Sequence, residues 1–239
     1  MGSRPRKHPT PPGDESPERT TPPGTPALGP QDAYAVDGPE ANRKLYASWA
    51  ATYESGFIAD SGYVYHRHVA EVFCDGLADA TRPVLDVGCG TGLVGVELAR
   101  LGVAVVDGID ISAEMLAQAR AKHVDGRPTY RRLIEADLTA GVEVADRTYA
   151  GIVSAGAFTH GHLGPESIAG LLRVAGPGAR GALGINSAHF GERGFDRWFE
   201  ARQAEGRISE LGQEMRPIYG DADPGDPDQW ARIVVFTVT

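Results

Sequence analysis

Four residues with chemical promise stand at alternate positions in one short stretch. They are Asp86, Gly88, Gly90 and Gly92 within Val84–Gly95, VLDVGCGTGLVG. An apolar strand that runs into a glycine-dense turn and then a helix brings bare backbone against a ligand and aims helix N–H groups at it. Asp86 lies inside the strand, where an unpaired carboxylate is costly, so a positive group is expected to meet it. Two imidazoles follow in Phe158-Thr159-His160-Gly161-His162. Either His160 or His162 could take a proton from a reacting oxygen or nitrogen, or could simply hydrogen-bond the loop backbone. His160-x-His162 alone does not make a metal site, because no nearby set of cysteines or carboxylates completes one. No metal is assigned. Cys89, inside the turn, reads as a small buried filler.

The turn supports two registers. Gly90-x-Gly92-x-x-Gly95 matches a dinucleotide fingerprint, with Asp110 at the spacing of a ribose carboxylate, and would make the chain an NAD-dependent oxidoreductase. Asp86-x-Gly88-x-Gly90-x-Gly92 is the other. It resembles the acidic-Gly-x-Gly-x-Gly signature of class I S-adenosylmethionine-dependent methyltransferases. Asp86 decides for the second register, since only a cationic amino acid end gives that carboxylate a partner. The resemblance covers about residues 42–239 and is strongest over Val84–Ile185. Within the superfamily, YASWAATYE and AGAFTHGHLGPES are most similar to the Williams–Beuren syndrome region methyltransferase-like proteins and their bacterial relatives.

The resemblance implies S-adenosyl-L-methionine as cofactor and a set of contacts along the strand ends. Asp86, Gly88, Gly90 and Gly92 would hold the methionine end. Asp110 would accept from both ribose hydroxyls, with Asp107 as its rival. Ile111 and Met115 would wall the adenine, unless Met115 is ordinary core. Asp137 and Leu138 would meet the adenine edge, or Asp137 would only close an Asx turn. Ser154, Ala155, Gly156 and Ala157 would lie beneath the sulfonium, small enough to let backbone carbonyls approach the methyl group. Tyr46 and Tyr53 are lid candidates from the N-terminal helix. His66, His68, His189, Phe190, Phe195 and Trp198 are possible wall residues of an acceptor pocket, the aromatic ones suiting a flat or apolar molecule. The acceptor is expected to be a small molecule methylated on O or N; a non-catalytic or non-methylating cofactor-binding protein is the rival outcome.

The elements that must position these residues follow from periodicity. Leu45, Trp49 and Tyr53 are four apart, as on one helix face, and Tyr63–Leu77 reads as a second helix. Strands are expected at Val84–Val87, Val103–Ile109, Tyr130–Glu135, Tyr149–Ser154, Ala179–Ile185, Glu214–Tyr219 and Ile233–Val238. Helices are expected at Leu93–Leu101, from the Ser112 cap to Lys122, at Glu166–Val174 and at Phe195–Glu205. This alternation implies an α/β fold: a Rossmann-like, seven-stranded, mostly parallel sheet with helices on both faces and an antiparallel edge pair made of the last two strands. Ligands then sit at the carboxyl ends of the strands.

The chain has 239 residues with 23 basic and 32 acidic side chains, a formal net charge of −9. That balance argues against general affinity for nucleic acid or anionic membrane. No apolar run reaches the roughly 18 residues of a membrane span, and two cysteines give no disulfide framework. A cytoplasmic protein is expected. Ten of the 17 prolines fall in the first 40 residues, so residues 1–38 are expected to form a disordered tail. The methyltransferase domain is expected over 39–239, with a helical lid over 39–80. The sequence leaves the oligomeric state open.

Overall fold

A computed structural model describes residues 38–239. The expected tail over 1–38 lies, but for Gly38, outside the described residues. In chain order, helix α1 (Pro39–Trp49) leads through a π-helical turn (Glu54–Ile58) to α2 (Tyr65–Asp75). Then come β1 (Val84–Val87), α3 (Leu93–Arg100), β2 (Val106–Asp110) and α4 (Ala113–Arg120). A small hairpin, β3 (His123–Val124) and β4 (Arg127–Pro128), precedes β5 (Arg132–Glu135) and β6 (Tyr149–Phe158). The chain ends with α5 (Ile168–Val174), β7 (Ala175–Asn186), α6 (Ser187–Arg193), α7 (Phe195–Ala204), β8 (Ile208–Pro217) and β9 (Trp230–Val238).

The main sheet has seven strands in the order β5-β2-β1-β6-β7-β9-β8. Pairings from β5 to β7 are parallel, and β9 is antiparallel to both β7 and β8. The order reverses at β1, whose neighbours are β2 and β6, so the crevice above β1 is the switch point where ligands sit. The predicted architecture is the observed one.

Both faces of the sheet are covered. Strand residues alternate between faces, so Leu85 and Val87 pack with Ile168, Leu171, Phe195 and Phe199 of α5 and α7. Val84 packs with Val69, Phe73, Leu98 and Leu116 of α2, α3 and α4. Asp86 shares the face of Val84. The cap of α4 is as expected: Ser112 Oγ accepts from Met115 N at 3.2 Å.

Three differences from the expected elements bear on the site. Strand β6 runs on through Phe158 rather than stopping at Ser154. Its pairing with β7 jumps from Ala155↔Gly184 to Phe158↔Ile185, leaving Gly156 and Ala157 in a bulge. A bulge re-aims the residues it contains. Residues 187–193, read as loop, form α6, capped by Asn186 Oδ1, which accepts from Ala188 N and His189 N. The β3–β4 hairpin lay in what read as a connection, because two-residue strands carry no periodicity. Among the described residues no helix is long and apolar enough to cross a membrane.

Candidate active site

The glycine turn after β1 divides its glycines between two jobs. Gly88 (φ +64°) and Gly90 (φ +52°) line a cavity of about 450 Å³ above the strand ends. A Cβ on Gly88 would come within 2.5 Å of Ala157 Cβ in the β6 bulge. Gly90 has open space beside it. Gly92 and Gly95 face the opposite way and do not line the cavity: a Cβ on either would run into the ring of Tyr130. Gly92 instead caps α3 in the left-handed conformation.

Asp86 differs from its expected place. It is fully buried, does not line the cavity, and meets no cation among the described residues. The Tyr130 hydroxyl donates to its Oδ2 at 2.6 Å. Burial pushes the Asp86 carboxyl up to about 7, against the pull of the Tyr130 hydrogen bond and with a further push from the Asp110 charge. The carboxyl therefore carries its own answer to the missing partner, a proton. The phenol of Tyr130 is driven well above its ordinary range by burial and by Asp86.

Asp110, at the carboxyl end of β2, lines the cavity. Its Oδ2 accepts from Gly90 N and its Oδ1 from Ser112 N, both at 2.9 Å. Burial pushes its carboxyl up and these backbone donors pull it down, with a net rise. Each oxygen keeps a lone pair for a ligand hydroxyl. Its rival Asp107 lies on the other face of β2, away from the cavity, held by Arg131, Arg132 and Tyr149. Ile111, Met115, Leu138 and Ala155 line the cavity. So does Asp137, which also closes an Asx turn by accepting from Thr139 N at 2.8 Å. Ser154 does not reach the cavity; its hydroxyl donates to the Val87 carbonyl at 2.7 Å and ties β6 to β1. Cys89 is buried, and burial with the nearby Asp110 and Asp86 drives its thiol well above the ordinary range.

The two histidines after β6 part company. His160 does not line this cavity and sits 3.4 Å from Glu192 Oε2. Its carbonyl is the part that matters, because it takes the Nδ1–H of His162 at 2.7 Å. A carbonyl only accepts, so His162 Nδ1 carries the proton and Nε2 presents its lone pair. Tyr46 OH donates to that Nε2 at 3.0 Å. Both Tyr46 and His162 line the cavity, as does Tyr53. Burial, resisted by the hydrogen bond to His160, holds His162 below the ordinary histidine range.

The remaining wall candidates are elsewhere. His66 is buried and stacked on Tyr63 with ring centroids 5.5 Å apart, and burial above all lowers it to about 4. His68 bonds the Pro217 carbonyl. His189 is buried against the Leu163 carbonyl, Phe190 and Phe195 are core, and Trp198 packs on that core beneath Arg202. Further residues line the cavity. Gly156 and Ala157 come from the bulge, and Asn42 from α1, where it ties the helix to the Gly161 carbonyl at 2.8 Å. Asn42 stands four residues before Tyr46, on the stripe that continues to Trp49 and Tyr53, and that spacing is its one sequence signal. Arg193 also lines the cavity, from the end of α6.

Residues 84–178, the stretch from β1 to the start of β7, match the family model described as a methyltransferase domain. Over that stretch the chain is similar to a methyltransferase domain. The dinucleotide register is thereby set aside, and its third glycine, Gly95, is the seat of Tyr130. A comparison with curated proteins finds no match. Among solved structures, the chain shares its fold with the TehB-like S-adenosylmethionine-dependent methyltransferase of Corynebacterium glutamicum (21% identity, 82% of this chain and 99% of that one, TM-score 0.52). It is similar also to the magnesium protoporphyrin IX methyltransferase of Synechocystis with bound S-adenosylhomocysteine (19% identity, 84% and 99%, TM-score 0.56). The [4+2]-cyclase SpnF has the same fold (13% identity, 85% and 97%, TM-score 0.60). The cavity fits S-adenosylmethionine in kind: a carboxylate at the end of β2, side-chain-free backbone at Gly88 and Gly90, and apolar cover from Ile111, Met115 and Leu138.

Proposed function

We propose that the chain methylates an oxygen or nitrogen of a small-molecule acceptor, with Tyr46 and His162 receiving the proton that the acceptor gives up. Asp110 holds the ribose hydroxyls of the cofactor, Ile111 and Met115 cover its adenine, and Asp137 with Leu138 meets the adenine edge. Gly88 and Gly90 admit the amino acid end. Bound there, S-adenosylmethionine supplies an electrophilic methyl group on a sulfonium. Position and desolvation supply much of the acceleration in such a displacement, so few side chains need to take part.

The observation that carries the reading is the Tyr46–His162 pair. It lies on the cavity wall with an uncharged, proton-accepting Nε2 fixed by the His160 carbonyl. A base held below the ordinary histidine range stays uncharged at neutral pH and can accept a proton there. His160 acts through His162 as a positioning residue, by its backbone. The lid formed by α1 and the π-helical turn brings Tyr46 and Tyr53 to the site and excludes water.

Two measurements test this. Calorimetric titration with S-adenosylhomocysteine should show binding that weakens at least tenfold in Asp110→Ala; unchanged affinity would remove Asp110 from the site. Transfer of labelled methyl to a panel of small amines and alcohols should fall about 100-fold in His162→Ala. The acid limb of the wild-type rate should lie below pH 6.5, since folding lowers the His162 value from there. Product formation unaffected by the His162 change would end the proton-acceptor assignment.

A further inference from the structure

A second, smaller chamber of about 70 Å³ adjoins the cofactor cavity and shares Tyr46, Tyr53 and Gly156 with it. We propose that this chamber is the acceptor subsite and that it takes a small alkylammonium group; the proposal rests on the methyl-transfer reading above and narrows it.

Placement comes first. The shared residues put the chamber on the side of the cavity where the β6 bulge and the Tyr46–His162 pair lie. Whatever occupies it adjoins the cofactor cavity at Gly156, which puts no side chain between the two spaces. Gly156 is at φ +93°, a conformation that side chains rarely adopt, so its bare backbone there is built into the bulge.

The walls give the chemical class. Eight of the thirteen lining residues are aromatic. The rings form a continuous belt: Trp49 lies 5.1 Å from Tyr53 and 5.0 Å from Phe57, and Phe57 lies 6.1 Å from Tyr63, which in turn is 6.3 Å from Tyr219. Ring faces attract a cation, and clusters of them recognise alkylated ammonium groups. No lysine, arginine, aspartate or glutamate lines the chamber. A phenolate or carboxylate would therefore enter with no cation to meet it, at the cost of burying an unpaired negative charge. An ammonium group meets the rings and a protein of net charge −9.

One polar group completes the fit. Thr159 Oγ1 lies in the chamber wall, buried, with no hydrogen-bond partner among the described residues. A buried hydroxyl left without a partner is costly, and an ammonium N–H would satisfy it. Size limits the ligand as well. A dry cavity of about 150 Å³ holds benzene, and this chamber has about half that volume. It suits a group of a few heavy atoms, not a flat ring system. Before it can react, the ammonium must lose a proton; Tyr46 stands in the shared wall, and its hydroxyl is bonded to the uncharged His162 of the larger cavity, which can take that proton through it.

The test is calorimetry on the full chain saturated with S-adenosylhomocysteine. The probes are trimethylammonium chloride and tert-butanol, a neutral molecule of similar shape. Trimethylammonium should bind at least tenfold more tightly than tert-butanol. Phe57→Leu and Thr159→Val, neither of which lines the cofactor cavity, should each weaken trimethylammonium at least threefold while leaving S-adenosylhomocysteine affinity within twofold. Equal binding of the two probes, no binding of trimethylammonium, or variants without effect would overturn the proposal while the cofactor reading stands. Failure of S-adenosylhomocysteine itself to bind would overturn that reading, and this inference with it.

Discussion

Asp86 is protonated in the folded chain at pH values where it would be ionised in the unfolded one. Its value rises from 3.8 to about 7 on folding, chiefly by burial. The folded state thus holds a proton that the unfolded state has lost across that window. The stability this group contributes is present at acid pH and fades as pH rises through about 7. Asp86→Asn removes the titration and keeps the shape. Urea midpoints at pH 5 and pH 8 should move in the variant's favour, relative to wild type, by about 2 kcal/mol between the two; a gap independent of pH would mean that Asp86 is ionised throughout. The sequence correctly flags a carboxylate inside a strand as a debt to be explained. It cannot show that the partner is Tyr130, 44 residues away, or that a proton takes the place of a cation. The same holds for His66, whose burial against Tyr63 leaves no trace in local spacing, whereas Asp110 and Asp137 are legible because strand ends after a glycine turn place them by topology alone.

At the scale of the element, the glycine turn is a compromise between ligand and core. Gly88 and Gly90 line the cavity, while Gly92 and Gly95 leave room for Tyr130, whose hydroxyl secures Asp86. Substitutions should separate the two jobs. Gly95→Ala forces a methyl group into the Tyr130 ring and should lower stability by about 2 kcal/mol, as overpacking does. Gly90→Ala meets open space and should lose only about 1 kcal/mol for its left-handed backbone, yet weaken S-adenosylhomocysteine binding because its new side chain points at the ligand. Thermal melts and titrations of both variants check this; a Gly95→Ala protein as stable as wild type would deny the packing role. Such a division is invisible in a row of glycines. The β6 bulge is equally hidden, since Ala155-Gly156-Ala157 reads as the end of a strand and only its mispairing with β7 shows that two residues are pushed toward the cavity.

Across the whole molecule, one side-chain knot ties three strands. Asp107 on β2 is fully buried and receives Arg131 and Arg132 from the start of β5 and the Tyr149 hydroxyl from β6. Burial resists ionisation of this carboxyl, but those three donors hold it below its ordinary value. Asp107→Asn should cost about 2 kcal/mol, less than a fully buried pair because both guanidinium groups are half-exposed; a urea midpoint within error of wild type would show the knot to be ornamental. The global plan was the most legible level of all, because alternating strand and helix patterns constrain a parallel sheet strongly. What the pattern leaves open is the seating of the last two strands. Strand β9, residues 230–238, lies between β7 and β8. During synthesis, β8 therefore emerges from the ribosome before it has a neighbour, and β7 waits with one edge bare. The sheet can close only after residue 238 has been made, so the cofactor domain and its far edge must mature at different times, and nascent chains halted short of β9 should be prime clients for chaperones.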